Sequence, residues 1–435
     1  TANPATDSIL SGDLNGDDSP NFTNYGDNVY HVVTASGTNA SAILSGLTIR
    51  GGHGSAGAAD ESGGGIYVLA GSPNIDSCTF AENSSNSNGG AGYLANGSGP
   101  SFTNCLVTNN RALTGTGGGF NCTGTNSPLF TDCTFSNNTS NGSGGGALTL
   151  ADGTTLLSGC IFVSNSAPAG SGGAVSQSGT GVFFSACRFF GNSTFDVGGA
   201  FAISGGSSAF QNCLFSRNFA INGLGKGGAM GIYGGVIQMF NCSFSQNRAY
   251  SGGGDSLYTN HPSAFIDAYD CIIVGNAATD NIVAANGLIS INHSDAVVVG
   301  VYPGTGNINT DPLFIDPDGP DNILGTADDD LHLQTPSACI DAGDPAFFGG
   351  APTDIDGQPR IMACRVDMGA DEWLAGAPNS GDMDAVGALA LPDMSIFVNV
   401  LVNGGNAAQV CVADMNNDGL ADGRDIRLFT LTLVP

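Results

Sequence analysis

The side chains best suited to chemistry in this sequence are oxygen ligands, and they crowd toward the C-terminus. Asp414, Asn416, Asp418, Asp422 and Asp425 fall at positions 1, 3, 5, 9 and 12 of a twelve-residue loop, with Gly419 at position 6. That spacing lets one tight turn wrap hard oxygens around Ca2+, the glycine giving the sharp bend. Thirty-two residues earlier, Asp382, Asp384 and Asp393 hold positions 1, 3 and 12 with Gly387 at 6. There Val386 and Ala390 replace the ligands at 5 and 9, so this first loop is degraded. Each loop runs into an apolar segment, MSIFVNVLV or DIRLFTLTL, that is expected to be helical. A third group, Asp316, Asp318, Asp321, Asp328 and Asp330, lies within residues 311–330. It too offers only oxygens, with glycines at the bends, and calcium is its expected ligand. Asp13, Asn15, Asp17 and Asp18 make a shorter cluster of the same kind near the N-terminus.

Catalysis has less to work with. A lyase needs a basic residue beside calcium-binding carboxylates, and a glycosidase needs two acids across a cleft. Along residues 1–310 the acids, among them Asp76, Asp132, Asp152, Asp196, Asp255 and Asp267, do not recur at one offset in adjacent repeats. Lys226 is the only lysine, and no two of the five histidines have metal-ligand spacing. No catalytic site is expected, and the chain reads as a non-enzyme.

The elements that must carry these groups follow from a repeat. Cys78, Cys105, Cys133, Cys160, Cys187, Cys213, Cys242 and Cys271 recur at intervals of 26 to 29 residues. Two positions after each stands a phenylalanine, valine or isoleucine. Five positions after each stands an asparagine: Asn83, Asn110, Asn138, Asn165, Asn192, Asn218, Asn247 and Asn276. Ahead of each cysteine runs a Gly-Gly-small motif followed by alternation, as in Ile66 and Val68, Leu148 and Leu150, or Phe201 and Ile203. Alternation with period two marks a strand with one buried face.

Two short strands per repeat cannot fold alone. They can stack as coils of a parallel solenoid at the ~4.8 Å strand spacing, equivalent residues above one another. Cysteine and aromatic then point inward. The asparagine turns the corner in the left-handed backbone region, and its amide bonds to those above and below. Thiols buried in such a ladder behave as small hydrophobes, and the coil spacing is long for an unstrained disulfide. Cys339 and Cys364 lie outside the ladder and are the disulfide candidates of an oxidising compartment. Parallel crossovers are right-handed by general preference. The expected fold is all-β: a right-handed parallel β-helix of about ten coils over residues 1–310, an acidic closing segment over 311–375, and a small α-helical calcium-binding tail over 376–435.

Composition narrows the partners. The chain has 435 residues, with 10 Lys+Arg against 38 Asp+Glu and a formal charge of −28. Nucleic acid and anionic membrane surfaces are disfavoured, because phosphate contacts need cations. No apolar run of about 18 residues exists to span a bilayer. No signal peptide is visible, and the start at Thr1 reads as mid-repeat, so a processed N-terminus is expected. A stacked coil leaves unpaired strand edges at both ends, which favours self-association, end to end or tail to neighbour.

The Gly-Gly-Ala and Phe-x-x-Asn repeats resemble the passenger repeats of polymorphic outer-membrane proteins, surface β-helices that often act as adhesins. A closer resemblance is to large secreted bacterial β-helix proteins of the planctomycete type, which end in an acidic segment and a dockerin-like tail. The two loop-helix units resemble a type I dockerin. This implies calcium-dependent folding and docking to a cohesin-like partner, although the degraded first loop departs from the dockerin pattern. Together these resemblances imply an extracellular or cell-surface protein with a structural, filament-forming role. The alternative is a polysaccharide-binding or polysaccharide-degrading β-helix anchored through its tail, with the outward Tyr67 and Tyr93 as candidate sugar contacts.

Overall fold

Segments that each bury one or two side chains can satisfy their backbone only by pairing with the next coil. The computed structural model shows that arrangement repeated along a parallel β-solenoid. It describes residues 8–55, 61–179, 181–222, 225–250, 253–275, 281–344, 351–360, 366–373, 391–404, 413 and 421–433. One ten-stranded sheet runs from Val33–Thr34 to Ile282–Ala284 and carries the strands after Gly-Gly. A second ten-stranded sheet runs from Ile43–Ser45 to Leu288–Asn292. The third stack begins at Ser8–Ser11, carries the strands that follow each ladder cysteine, and reaches Asp295–Val298.

The register is one of equivalent residues. Phe135, Phe162, Phe189, Phe215 and Phe244 pair in succession. Their rings stack with centroids 4.8, 4.8, 4.7 and 4.6 Å apart. All ten described cysteines are buried free thiols, and Cys133 Sγ sits 3.5 Å from the carbonyl oxygen of Phe102 in the coil before. In the Gly-Gly pairs of the middle coils the second residue meets the next coil closely: a Cβ on Gly118 would lie 2.4 Å from Gly146 O.

Two expectations change. Each coil has a further strand, such as Ser101–Thr103, Leu129–Thr131 or Thr155–Ser158, just before the cysteine. It buries mainly one side chain (Phe102, Phe130 and Leu157 in these coils), too few for alternation to show. The asparagine ladder is also built differently from expectation. Nδ2 of Asn83 donates to Oδ1 of Asn110, and the chain of bonds continues through Asn138, Asn165, Asn192 and Asn218 to Asn247, each 2.9–3.0 Å long. The left-handed backbone, however, falls one residue earlier, at Glu82, Asn109, Asn137, Ser164, Arg217 and Gln246, with φ of 50–55°. The amide must point inward to reach its neighbour, so the reversal passes to the outward residue before it. Asn276 lies outside the described residues.

Beyond the solenoid, the described residues of 311–373 add no coils. A hairpin of Phe314–Asp316 with Asp330–Leu333 and the loops after it pack against the outward face of the third stack. Leu331, Ile355 and Ala370 meet Leu214, while Leu333, Cys339 and Met368 meet Ile272. In the tail, the helices Leu391–Asn403 and Ile426–Leu433 pack through Phe397 and Phe429, whose ring centroids are 3.8 Å apart.

Candidate functional site

The acidic hairpin shows what the aspartates do. Asp316 and Asp318 share one turn, closed by a bond from Gly319 N to Asp316 O at 3.0 Å. Partial desolvation and the Asp318 carboxyl beside it push the Asp316 pKa upward, with Asp330 and Asp328 adding to the effect. The other predicted ligands are partly engaged elsewhere. Asp321 Oδ1 accepts from Ile323 N at 2.7 Å, and Asp330 bonds His332. The five residues therefore do not converge as one shell. Asp316, Asp318 and Asp328, the last of which accepts from Thr326 Oγ1, offer only oxygens, a donor chemistry that suits Ca2+.

Asp329, between two predicted ligands, is buried and accepts from Ser216 Oγ at 2.6 Å and Gly325 N at 2.8 Å, tying the hairpin to the solenoid.

The tail's loops are only partly described. Asp414, Asn416, Asp418, Asp382 and Asp384 lie outside the described residues. Asp393 and Asp425, at position 12 of each loop, are both buried at helix starts, 1% and 0% exposed. Asp425 Oδ2 accepts from Asp422 N at 2.8 Å, and Asp422 pairs with Arg424 at 2.7 Å. Phe397 and Phe429, like the two aspartates, are thirty-two residues apart, so the packed helices match the duplication read from the loops.

Sequence reasoning missed the charged centre of the closing segment. Arg360 is 1% exposed and donates to the carbonyls of Gly369, Ala370 and Asp371 and to Asn212 Oδ1 of the solenoid. Around it, Asp367 accepts from Asp341 N and Trp373 N, and Asp354 accepts from Asp356 N, Gln358 N and Glu372 N. Burial, then the Asp367 charge, pushes Glu372 up to about 9; burial likewise takes Asp367 to about 7. Nearby, His332 bonds Asp330 through Nδ1 and Asp356 through Nε2, with Asp371 at 3.7 Å. Burial alone would lower the histidine, but the Asp356 bond, Asp371 and Asp330 outweigh it and bring it up to about 9. His332, Asp356 and Asp371 have the proximity of metal ligands, yet a protonated imidazole already matches these carboxylates. The available signal was an arginine, Arg360 or Arg365, isolated among acids.

Cys339 is buried, and its Sγ lies 3.3 Å from Asp295 Oδ2. Its expected partner Cys364 lies outside the described residues.

On the solenoid itself, Asp255 is buried and accepts from Ala249 N at 2.8 Å, a turn-forming role. Asp267 sits in register between Gln238 and Ser290, with no carboxylate beside it in that column. Tyr67 is sandwiched between His31 at 4.6 Å and Tyr93 at 5.7 Å, so its ring faces are covered and do not form a platform for a sugar. A polar cleft of about 880 Å³ opens between the N-terminal loop and the coils, lined among others by Phe22, Tyr25, Arg50, Glu82 and Arg111.

A family model described as "Right handed beta helix region" matches residues 31–209 and, overlapping, 118–300. Comparison with curated proteins and with solved structures returns no match. Among the described residues, no helix is long and apolar enough to cross a membrane.

Proposed function

From the premise that the chain belongs to the right-handed β-helix family, a fold shared by enzymes and non-enzymes, we propose a non-catalytic extracellular structural protein whose solenoids associate end to end. The observation that carries this reading is the incomplete cover of the core at both ends. Inward residues of the middle coils, such as Phe135, Phe162 and Phe189, are fully buried. Among the described residues, Val33, Leu44 and Leu47 at one end and Ile282 and Ile289 at the other are only partly buried. Next to them in the chain, in outward columns of the same sheet, Ile43 and Leu288 are 70% and 67% exposed. The two ten-stranded sheets end in strands without a further strand partner among the described residues. The third stack's last strand, Asp295–Val298, is by contrast paired by Gly300–Val301. Open strand edges backed by apolar side chains are templates for further pairing. A second copy offers the matching edge, since one end presents what the other lacks.

In this reading calcium stabilises the C-terminal region through Asp316, Asp318 and Asp328 and through the tail loops. The tail docks on a neighbouring subunit or a cohesin-like partner. Sedimentation velocity and electron microscopy test it: rods that lengthen with concentration and shorten in Ile43→Glu are expected. Monodisperse single rods, with and without calcium, would sink it.

The cleft favours a second reading, polysaccharide binding. Arg111 lies over the Phe22 ring at 4.2 Å and Tyr25 donates to Glu82 O at 2.8 Å, giving an aromatic-walled groove lined by both arginines and acids. Binding to glycan arrays that Arg111→Ala abolishes would support it, and product assays on pectins and alginates would reveal any cleavage.

A further inference from the structure

We propose that the N-terminal loop holds one Ca2+ between Asp13, Asp17 and Asp18, and that the ion fixes this loop across the flank of the first coils. One oxygen from each of these three carboxylates lies within 4.8 Å of the others. Acidic proximity alone would not suffice, and a second observation points to a ligand. Asp18 Oδ1, Asp27 Oδ2 and Asn28 Oδ1 are buried oxygens with no donor. Asn28 is 5% exposed, and its amide nitrogen is already committed to Asp18 Oδ2 at 2.8 Å and Gly51 O at 2.6 Å. Buried acceptors without a donor are rare in folded proteins and call for water or an ion.

The surrounding charge favours the ion. The charged groups that act on Asp18 are Asp13, Asp27 and Asp17, all of one sign. Among the described residues no lysine, arginine or histidine makes an ion pair with any of the four. Asp13 also accepts from Gly16 N at 2.7 Å and Asp18 N at 3.2 Å, which curls the loop and sets its carboxylates in place beforehand. Oxygen-only donors on an adaptable loop suit Ca2+ better than a nitrogen- or sulfur-seeking metal, and better than Mg2+, which demands a near-ideal octahedron.

The consequence is local order with a reach of several coils. The loop touches the solenoid through Tyr25 on Glu82 O and Phe22 under Arg111. Fixing its base therefore fixes one wall of the cleft. This site is separate from the calcium loops proposed for the C-terminal region.

The test uses the full chain. Calcium titration by calorimetry is combined with limited proteolysis mapped by mass spectrometry, in the unmutated chain, in Asp17→Asn/Asp18→Asn, and in Asp414→Asn/Asp418→Asn. The N-terminal pair should lose one bound calcium per chain and the calcium-dependent protection of residues 13–28, while the tail pair keeps both. Equal stoichiometry and equal protection in the N-terminal pair would overturn the proposal, whatever the tail variants show. A measurement without those substitutions guards against misfolding. Terbium luminescence excited in the native chain should be displaced by Ca2+, spared by equimolar Mg2+, and reduced at least twofold by Tyr25→Phe. Emission unchanged in Tyr25→Phe counts against the site.

Discussion

Phe162 and Arg360 are both fully buried, yet they hold their surroundings together by opposite means. Phe162 stacks between two copies of itself, Phe135 and Phe189, and each contact recurs coil after coil. Arg360 has no equivalent. It joins three carbonyls of the closing segment to Asn212, 148 residues away, amid carboxylates that would otherwise repel. The coils are sparsely charged and redundant, whereas the closing segment is densely charged and depends on single residues. In a solenoid each coil contacts only its neighbours, so damage stays local. In the closing segment one loss orphans several buried groups at once.

The largest expected effects set the two regions apart. Phe162→Ala should cost about 3–5 kcal/mol through a cavity the rigid stack cannot close, read as a shifted denaturation midpoint of the solenoid. Arg360→Ala should act in a different place, costing about 1–3 kcal/mol for each buried acceptor it strands, among the carbonyls of Gly369, Ala370 and Asp371 and Asn212 Oδ1. Proteolysis should then open residues 311–373 while the β-sheet circular dichroism stays. Loss of the sheet signal in Arg360→Ala would mean that the closing segment and the solenoid do not unfold separately. Next comes Asn165→Ala, which strips the acceptor from Asn138 N and Nδ2 and the donor from Phe135 O. Each buried group left alone costs about 1–3 kcal/mol, and amide exchange should accelerate in the two adjoining coils only.

The pH response should belong to the closing segment. His332 has a folded pKa of about 9, above its ordinary 6.5, so its contribution is complete below 6.5 and is lost as pH rises through about 9. Glu372 and Asp367 act in the same direction. Their raised values mean the folded form binds more protons, so stability falls as pH rises from the ordinary carboxylate range toward about 9 and 7. Fluorescence of the single tryptophan, Trp373, should report loosening between pH 6.5 and 9.5, with a shallower profile in His332→Gln. A flat profile in the native chain would mean these charges do not govern the segment. The smallest effect is expected for Arg188→Ala. Its pair with Asp356 is 3.2 Å long, but the side chains are 27% and 33% exposed, so less than about 1 kcal/mol is at stake.

How legible each region was follows from the same contrast. The ladder cysteines, the aromatic two residues later and the corner asparagine were readable because their partners are copies of themselves one period away. The strand before each cysteine was not, since one buried residue such as Phe130 carries no alternation. The acidic segment looked like one calcium cluster because spacing alone cannot show that Asp321 caps a turn, that Asp329 reaches Ser216, or that Asp330 is held by a histidine. Asp13, Asp17 and Asp18 were visible as a motif, but the buried oxygens of Asp27 and Asn28 beside them were not.

By itself the sequence determined the coil, its inward columns and the thirty-two-residue duplication of the tail, because all of these rest on local spacing that recurs. Only the tertiary structure decided that the closing segment lies along the solenoid's flank and that Arg360 and His332 answer its carboxylates. It alone placed the Cys339 sulfur against Asp295. Those contacts join positions far apart in the chain that occur once, and a contact made once leaves no period to read.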